Sequence, residues 1–150
     1  ELIIVEFIDY NCGYCKKTLP IIAKLMKNFE NIQIIFVDYP ILSETSEIAA
    51  RASLAAHEQK AYFKYHAMLL NNLKSINEDS IYRIARDLGL NIKKFKKDME
   101  SSKIKNNIIN NIKLARSLKI RGTPTFIIKD QILPGAYEYD KLEKIIMDNS

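Results

Sequence analysis

Both cysteines of the chain lie in the four-residue segment Cys12-Gly13-Tyr14-Cys15. Cysteines with this spacing can bind zinc, form a structural disulfide or exchange disulfides with a partner. A zinc site needs further ligands, and the only histidines, His57 and His66, are nine residues apart, a spacing that does not fit one helical face. A structural disulfide across so short a loop would constrain the unfolded chain very little. The spacing therefore favours redox chemistry.

The position of the pair in the chain gives a physical reason for thiol chemistry. The apolar run Leu2–Ile8 predicts a buried strand, and apolar residues three and four positions apart predict an amphipathic helix from Cys12 to about Phe29. The first-turn N–H groups and the dipole of that helix would stabilise a thiolate at Cys12. Such surroundings lower a cysteine pKa from about 8.5 into the range of about 3.5–7.5. We therefore expect Cys12 to react with the partner and the deeper Cys15 to resolve the mixed disulfide.

Glu6 interrupts the first apolar strand six positions before Cys12. Burial would raise the pKa of this carboxyl. If Glu6 lies beneath Cys15, it can accept and return the proton of that thiol during exchange. The alternative is an exposed glutamate on a half-buried strand. The depth of Glu6 in the fold therefore decides whether it is a catalytic residue.

A second candidate segment, Arg121–Phe126, stands just before a predicted strand. Gly122 permits a close backbone approach, and Pro124 removes a hydrogen-bond donor where the strand begins. The residues by themselves predict a turn that enters a strand and no further role.

The hydrophobic periodicity divides the chain into three blocks. Residues 1–42 form a strand, a helix and a strand, which predicts a βαβ unit with parallel strands. From 43 to 118 the period is helical throughout, and Ser75 with Glu78 has the spacing of a capping box. Residues 119–150 add two strands and a closing helix. We therefore predict one α/β domain in which an inserted helical subdomain separates the βαβ and ββα halves of the core.

Composition excludes several classes of protein. The chain is 47% hydrophobic and 27% charged, which is typical of a globular protein and not of a disordered one. Its longest apolar runs are strand-sized and shorter than the roughly 18 residues that span a bilayer. The net charge of +5 reflects lysines clustered between residues 93 and 105. Without interleaved aromatic or arginine side chains, these lysines indicate solvated helix faces and no nucleic-acid site. We also expect no cofactor and, from the histidine spacing, no metal.

Taken together, these segments resemble the thioredoxin superfamily. The resemblance rests on Val5-Glu6-Phe7, Cys12-Gly13-Tyr14-Cys15, Pro20 and Gly122-Thr123-Pro124. The long helical block makes the chain similar to the DsbA-like branch of bacterial disulfide oxidoreductases. The resemblance implies a thioredoxin-like fold and a cis Thr123–Pro124 bond packed against the cysteines, with the Thr123 backbone pairing with an extended substrate. It also implies cysteine-containing polypeptide substrates, a redox partner that recycles the pair, and a periplasmic or otherwise exported location after removal of a signal peptide.

Two features depart from the DsbA pattern. DsbA-type oxidases usually carry Pro-His between the cysteines and Val before the cis proline, whereas this chain has Gly13-Tyr14 and Thr123, as in DsbC-type isomerases. Without that histidine, a less oxidising couple is expected. The first hypothesis is disulfide formation in exported proteins, and the alternative is disulfide isomerisation or reduction. A binding module without turnover is disfavoured because both cysteines and Glu6 are present.

The predicted site combines these segments. Tyr14 stands beside the nucleophile and is a candidate contact for a bound peptide. The candidate catalytic residues are Cys12, Cys15 and Glu6, and the candidate substrate-binding residues are Gly13, Tyr14, Thr123 and Pro124.

Overall fold

The computed structural model describes residues 1–150 and centres on a four-stranded sheet of order β2-β1-β3-β4. The strands are β1 Leu2–Ile8, β2 Ile32–Asp38, β3 Thr125–Ile128 and β4 Gln131–Pro134. β1 and β2 are parallel, whereas β3 pairs antiparallel with β1 and with β4. β1 is central, and its nearly continuous apolar sequence fits a strand whose two faces are both covered.

One face of the sheet is covered by the first and last helices, α1 Gly13–Asn28 and α7 Tyr139–Asp148. α1 connects the parallel strands β1 and β2 and presents a buried apolar stripe to the sheet. α7 packs beside it and closes the chain. The core between these elements contains Ile4, Ile22, Leu25, Phe126, Ile128, Leu142 and Ile146.

Five helices stand between β2 and β3 in the chain. They are α2 Glu44–Glu58, α3 Tyr62–Leu70, α4 Glu78–Asp87, α5 Ile92–Met99 and α6 Ser102–Ser117. The buried alanines of α2 leave room for close helix neighbours, and α2 contacts α3, α4, α5 and α6. The largest core cluster of the protein joins these helices to Cys12 and Cys15. The helical block therefore packs directly against the cysteine pair.

The predicted α/β thioredoxin-like fold with a helical insertion is confirmed by this architecture. One local prediction is wrong: the capping box of α4 is formed by Asn77 and Ser80, and not by Ser75 and Glu78. The Asn77 side chain accepts from the backbone N–H of Ser80, and the Ser80 hydroxyl accepts from the N–H of Asn77. None of the seven helices combines the length and the apolar character that a membrane span requires.

Candidate active site

Cys12 occupies the N-cap of α1, at the junction between β1 and that helix. Its backbone is extended, with φ −84° and ψ 114°, and its sulfur accepts a hydrogen bond from the backbone N–H of Cys15 at 3.1 Å. Its own N–H donates to the carbonyl of Asp9 at 3.0 Å. The sulfur therefore sits over the positive end of the helix dipole, where negative charge is stabilised.

The two thiols are free and differ in burial and ionisation. Cys12 is 6% exposed and Cys15 is 1% exposed. A hydrogen bond from the Cys15 thiol, with contributions from Thr123 and from backbone N–H groups, lowers the pKa of Cys12 to about 6. The same hydrogen bond and burial raise the pKa of Cys15. Near neutral pH, Cys12 is therefore the thiolate and Cys15 the thiol.

The Thr123–Pro124 segment lies directly against Cys12. The peptide bond between these residues is cis, and the Cys12 sulfur lies 3.3 Å from the Thr123 carbonyl oxygen, to which Cys12 donates when it is protonated. The Thr125 hydroxyl donates to the Gly122 carbonyl at 2.8 Å, and the Gly135 N–H donates to the Pro124 carbonyl at 2.8 Å. These bonds fix the loop to β3 and β4.

Glu6 lies in the centre of β1, paired with Phe36 on one side and Phe126 on the other. It is only 2% exposed. Burial raises the pKa of Glu6 to about 8, and the charge of Cys12 adds to the shift. Glu6 in turn raises the pKa of Cys15. The exposed-strand alternative is therefore wrong, and the carboxyl lies within electrostatic reach of both sulfurs.

Gly13 and Tyr14 present the opposite face of the pair to solvent. Both residues are exposed, and the Tyr14 side chain is 62% accessible. The Lys17 amine lies 5.3 Å from the centre of the Tyr14 ring. The structure thus brings all seven candidate residues together around the sulfur of Cys12, with Cys15 and Glu6 beneath it. No group of three or more His, Cys, Asp or Glu side chains is placed to hold a metal ion.

Asp9 is part of this site and was not found by sequence reasoning. Its buried carboxylate accepts hydrogen bonds from the Ser46 hydroxyl at 2.6 Å and from the N–H groups of Ile41 and Leu42 at 2.9 and 3.0 Å. It also accepts from the N–H of Asn11 at 2.8 Å. Asp9 therefore joins the turn before Cys12 to the start of α2. An aspartate two residues before an asparagine signals the turn itself, and it carries no sign of the contact with α2.

Comparison with known proteins places this geometry in a family. The model of the DSBA-like thioredoxin domain matches residues 3–147. The chain belongs to this family. The structure of a thioredoxin-like oxidoreductase from Silicibacter pomeroyi superposes with a TM-score of 0.94 at 34% identity, covering 99% of this chain and 86% of the other. The thiol-disulfide exchange protein alpha-DsbA2 from Wolbachia pipientis gives a TM-score of 0.94 at 32% identity, covering 100% of this chain and 82% of the other.

The matched region of some relatives is only part of a longer protein. An Na(+)/H(+) antiporter NhaA 3 from Salinispora tropica is 25% identical over 146 residues, which are 96% of this chain and 22% of that protein. The chain thus spans about a fifth of the length of the first curated relatives it matches. Family membership and the paired thiols make the DsbA-like domain a thiol–disulfide oxidoreductase.

A second buried polar group of the DsbA-like domain lies between β2 and the helical block. The Tyr10 hydroxyl lies 2.8 Å from Nδ1 of His66 and donates to the Tyr62 hydroxyl at 3.3 Å. Tyr62 and Ser53 donate to the Asp38 carboxylate at 3.1 and 3.2 Å. Burial lowers the pKa of His66 to about 3, which keeps its ring neutral. The group fixes Tyr10, two residues before Cys12, to the helices.

Proposed function

We propose that this DsbA-like domain oxidises thiol pairs in exported, cysteine-containing polypeptides through a Cys12–Cys15 disulfide. The observation that carries the proposal is the contrast between a Cys12 pKa of about 6 and a raised pKa at Cys15. A thiolate that is stabilised in the reduced protein disfavours the protein's own disulfide. Such a couple tends to pass its disulfide to a substrate.

The reaction begins when a substrate thiolate attacks Cys12 of the oxidised pair. The bond between Cys12 and Cys15 breaks, a mixed disulfide forms at Cys12, and Cys15 leaves as a thiolate that takes up a proton. A second substrate thiolate then attacks the substrate sulfur of the mixed disulfide and displaces Cys12 as a thiolate. Two electrons pass from the substrate to the pair, and a disulfide forms in the substrate.

Glu6 is the proposed proton carrier for Cys15. Its raised pKa of about 8 leaves a substantial protonated fraction at neutral pH, so it can donate a proton as well as accept one. The thiolate that leaves during mixed-disulfide formation is Cys15, whose buried sulfur is poorly placed for direct proton transfer from bulk water. A buried carboxyl in electrostatic contact with that sulfur supplies the proton at the point where it is needed.

The exposed residues around Cys12 are the proposed substrate-binding surface. Thr123 offers backbone groups beside the reacting sulfur, where an extended polypeptide can pair as an added strand. Pro124 follows Thr123 in the cis segment against Cys12, Gly13 has open space where a side chain would stand, and the Tyr14 ring offers an apolar contact. Recognition through main-chain groups suits an enzyme that acts on many sequences.

Disulfide isomerisation or reduction is the second candidate function. With its pKa at about 6, Cys12 is mostly ionised at neutral pH, and that is the form that attacks a scrambled disulfide. Gly13-Tyr14 and Thr123 also resemble the DsbC type. The two functions therefore share the site and differ in which redox form meets the substrate.

The equilibrium with glutathione and a substrate assay separate the two functions. We expect a potential between about −120 and −180 mV, more oxidising than the range of about −180 to −270 mV of isomerases and reductases. We also expect the oxidised protein to introduce disulfides into reduced ribonuclease. A potential in the lower range, with reactivation of scrambled ribonuclease by the reduced protein, would overturn the oxidase proposal in favour of the second.

The proposed location and partner follow from the direction of the reaction. Each turnover leaves Cys12 and Cys15 reduced, so a redox partner must reoxidise them. Oxidation of protein thiols is productive in an exported compartment, where disulfides persist. Trapping the pair with a thiol-alkylating reagent in intact cells tests both points, since an exported oxidase should be found oxidised and a cytoplasmic one reduced.

A further inference from the structure

A cationic cleft opens between the end of β2 and the segment that leads to Thr123. Its volume is about 460 Å³. It is lined by Tyr39, Ile41, Arg116, Lys119, Ile120 and Arg121. The three charged lining residues are all basic and exposed, and none of them forms a salt bridge within the protein. Three cations thus face one cleft without a counter-charge.

Both walls of the cleft are bonded to groups that hold Cys12. On one side, the Ile41 N–H donates to Asp9, whose carbonyl accepts from the Cys12 N–H. On the other, Arg121 stands two residues before Thr123, whose carbonyl is 3.3 Å from the Cys12 sulfur. Two residues of extended chain span about 7 Å, so the cleft begins within reach of a substrate segment docked at Cys12.

The cleft floor is preformed. The Tyr39 hydroxyl donates to the Ile120 carbonyl at 3.0 Å, and the Ile120 N–H donates to the Ala115 carbonyl at 2.8 Å. Lys119 has the left-handed backbone, φ 59°, that ends α6 and turns the chain toward Arg121. Because Tyr39 is buried and its hydroxyl is occupied, no aromatic face is offered for stacking of a nucleic-acid base. The surface fits carboxylates better than bases.

We infer that this cleft selects substrates, binding acidic side chains that lie within about four residues of the reactive substrate cysteine. The inference rests on the proposed function, because it concerns the polypeptide that docks at Cys12. Arg116, Lys119 and Arg121 supply the attraction, and the exposed side of Ile41 packs against the apolar part of the segment. The cleft changes the rate of capture and leaves the thiol chemistry to Cys12 and Cys15.

The test uses short peptides that contain one cysteine flanked by two aspartates, two asparagines or two lysines. The oxidised protein is mixed with each peptide, and reduction of the Cys12–Cys15 disulfide, with formation of a disulfide between two peptides, is followed in low salt and in about 1 M salt. We expect the aspartate peptide to react about tenfold faster with the native protein than with a Lys119→Gln/Arg121→Gln variant at low salt. Comparing one peptide on two proteins cancels the effect of the flanking charges on the peptide's own thiol.

A matched control removes the same charge elsewhere. Lys93 and Lys97 lie exposed on α5 and form no salt bridge, so Lys93→Gln/Lys97→Gln has the same net charge as the cleft variant. It should capture the aspartate peptide at close to the native rate. In 1 M salt, where the Debye length is about 3 Å, the difference between native protein and cleft variant should largely vanish.

The outcomes separate the cleft from the chemistry. If the cleft variant loses no more rate toward the aspartate peptide than the α5 control, or loses as much toward the lysine peptide, the selective cleft is overturned and the proposed function stands. If the native protein oxidises none of the peptides, the proposed function itself fails. A selective loss toward the aspartate peptide, confined to low salt, supports the cleft.

Discussion

Two carboxyl groups are buried on neighbouring strands of the sheet, and their surroundings differ in a way that separates chemistry from structure. Glu6 on β1 lies opposite Phe36, and Asp38 at the end of β2 lies opposite Ile8. Burial raises the pKa of Glu6 to about 8 and that of Asp38 to about 7. Two acids of similar depth thus have similar shifts from the same main cause.

The secondary causes of the two pKa shifts act in opposite directions. At Asp38, hydrogen bonds from Tyr62 and Ser53 counteract burial and favour the carboxylate. At Glu6, the charge of Cys12 acts in the same direction as burial. An acid that accepts hydrogen bonds from protein hydroxyls holds a packed structure in place, whereas Glu6 lies in the field of the reacting sulfurs, where the proposed proton transfer to Cys15 takes place. The contrast supports the proposed role of Glu6 in proton transfer and a structural role for Asp38.

The largest effect expected from this comparison is on catalysis. Replacing Cys12 by serine should reduce oxidative refolding of reduced ribonuclease by about a thousandfold or more, because the attacking and leaving sulfur is lost. Asp38→Asn is the control from the other region and should stay within about threefold of the native rate. Substantial turnover by Cys12→Ser would remove the cysteine pair from the reaction and with it the proposed function.

Removing the second acid should act on stability instead. Asp38→Ala leaves the hydroxyls of Tyr62 and Ser53 without their acceptor in a buried site, at a cost of about 3 kcal/mol in the free energy of unfolding. Urea denaturation measures this loss. The pKa of Cys12, followed by the ultraviolet absorbance of its thiolate, should remain close to 6. A large shift of that pKa would show that the two regions are coupled and that the assignment of separate roles is wrong.

The fold and the cysteine pair could be predicted from the sequence because their signals are local. The apolar run of β1, the change of hydrophobic period near residue 43 and the spacing of Cys12 and Cys15 can each be read within a short stretch of sequence. Burial of Glu6 was left open because an isolated charge in a strand is compatible with either face. The capping box of α4 was predicted at the wrong residues because Ser75 and Asn77 are both good cap residues. Ile76 precedes Asn77, Ile81 follows Ser80, and both are buried in the same core cluster, which favours Asn77 as the cap.

The two polar groups that hold the turn before Cys12 depend on long-range contacts that no spacing in the sequence reveals. Asp9 meets Ser46 across 37 positions, and Tyr10 meets His66 across 56. His66 is buried among aromatic rings and has a structural role there. Only the packing of the inserted helices brings these side chains to the end of β1.

Glu6→Gln should sharpen the comparison through its dependence on pH. Because the folded-state pKa of Glu6 is raised from 4.5 to about 8, its contribution to stability is complete below pH 4.5 and is lost as the pH rises to about 8. Glutamine does not titrate. As the pH rises from 4.5 to about 8, the free energy of unfolding of the variant should therefore increase by on the order of 2 kcal/mol relative to that of the native protein. Denaturation of the oxidised forms, in which the cysteines do not titrate, measures the difference.

The same variant tests the proton transfer. Exchange at pH 7 should slow by about tenfold, because glutamine cannot supply the proton that Cys15 takes up. Asp38→Asn serves again as the control and should lose the pH dependence of stability that Asp38 contributes between pH 3.8 and about 7, without the slower exchange. An unchanged exchange rate for Glu6→Gln would make Glu6 a structural residue like Asp38, and the contrast between the two acids would disappear.

The smallest expected effect is that of a single hydroxyl in the Asp38 region. Tyr62→Phe removes one hydrogen bond to the Asp38 carboxylate and one acceptor for Tyr10, at a cost of about 1 kcal/mol near pH 8. Since that bond favours the ionised carboxyl, its loss raises the pKa of Asp38 further. The cost should therefore shrink at pH 5, where Asp38 is protonated in the folded protein.

Tyr14→Phe, which removes a hydroxyl from an exposed ring, should leave stability unchanged at both pH values. A loss for Tyr62→Phe that is the same at pH 5 and pH 8 would mean that Tyr62 contributes packing alone and that its hydroxyl does not stabilise the Asp38 carboxylate.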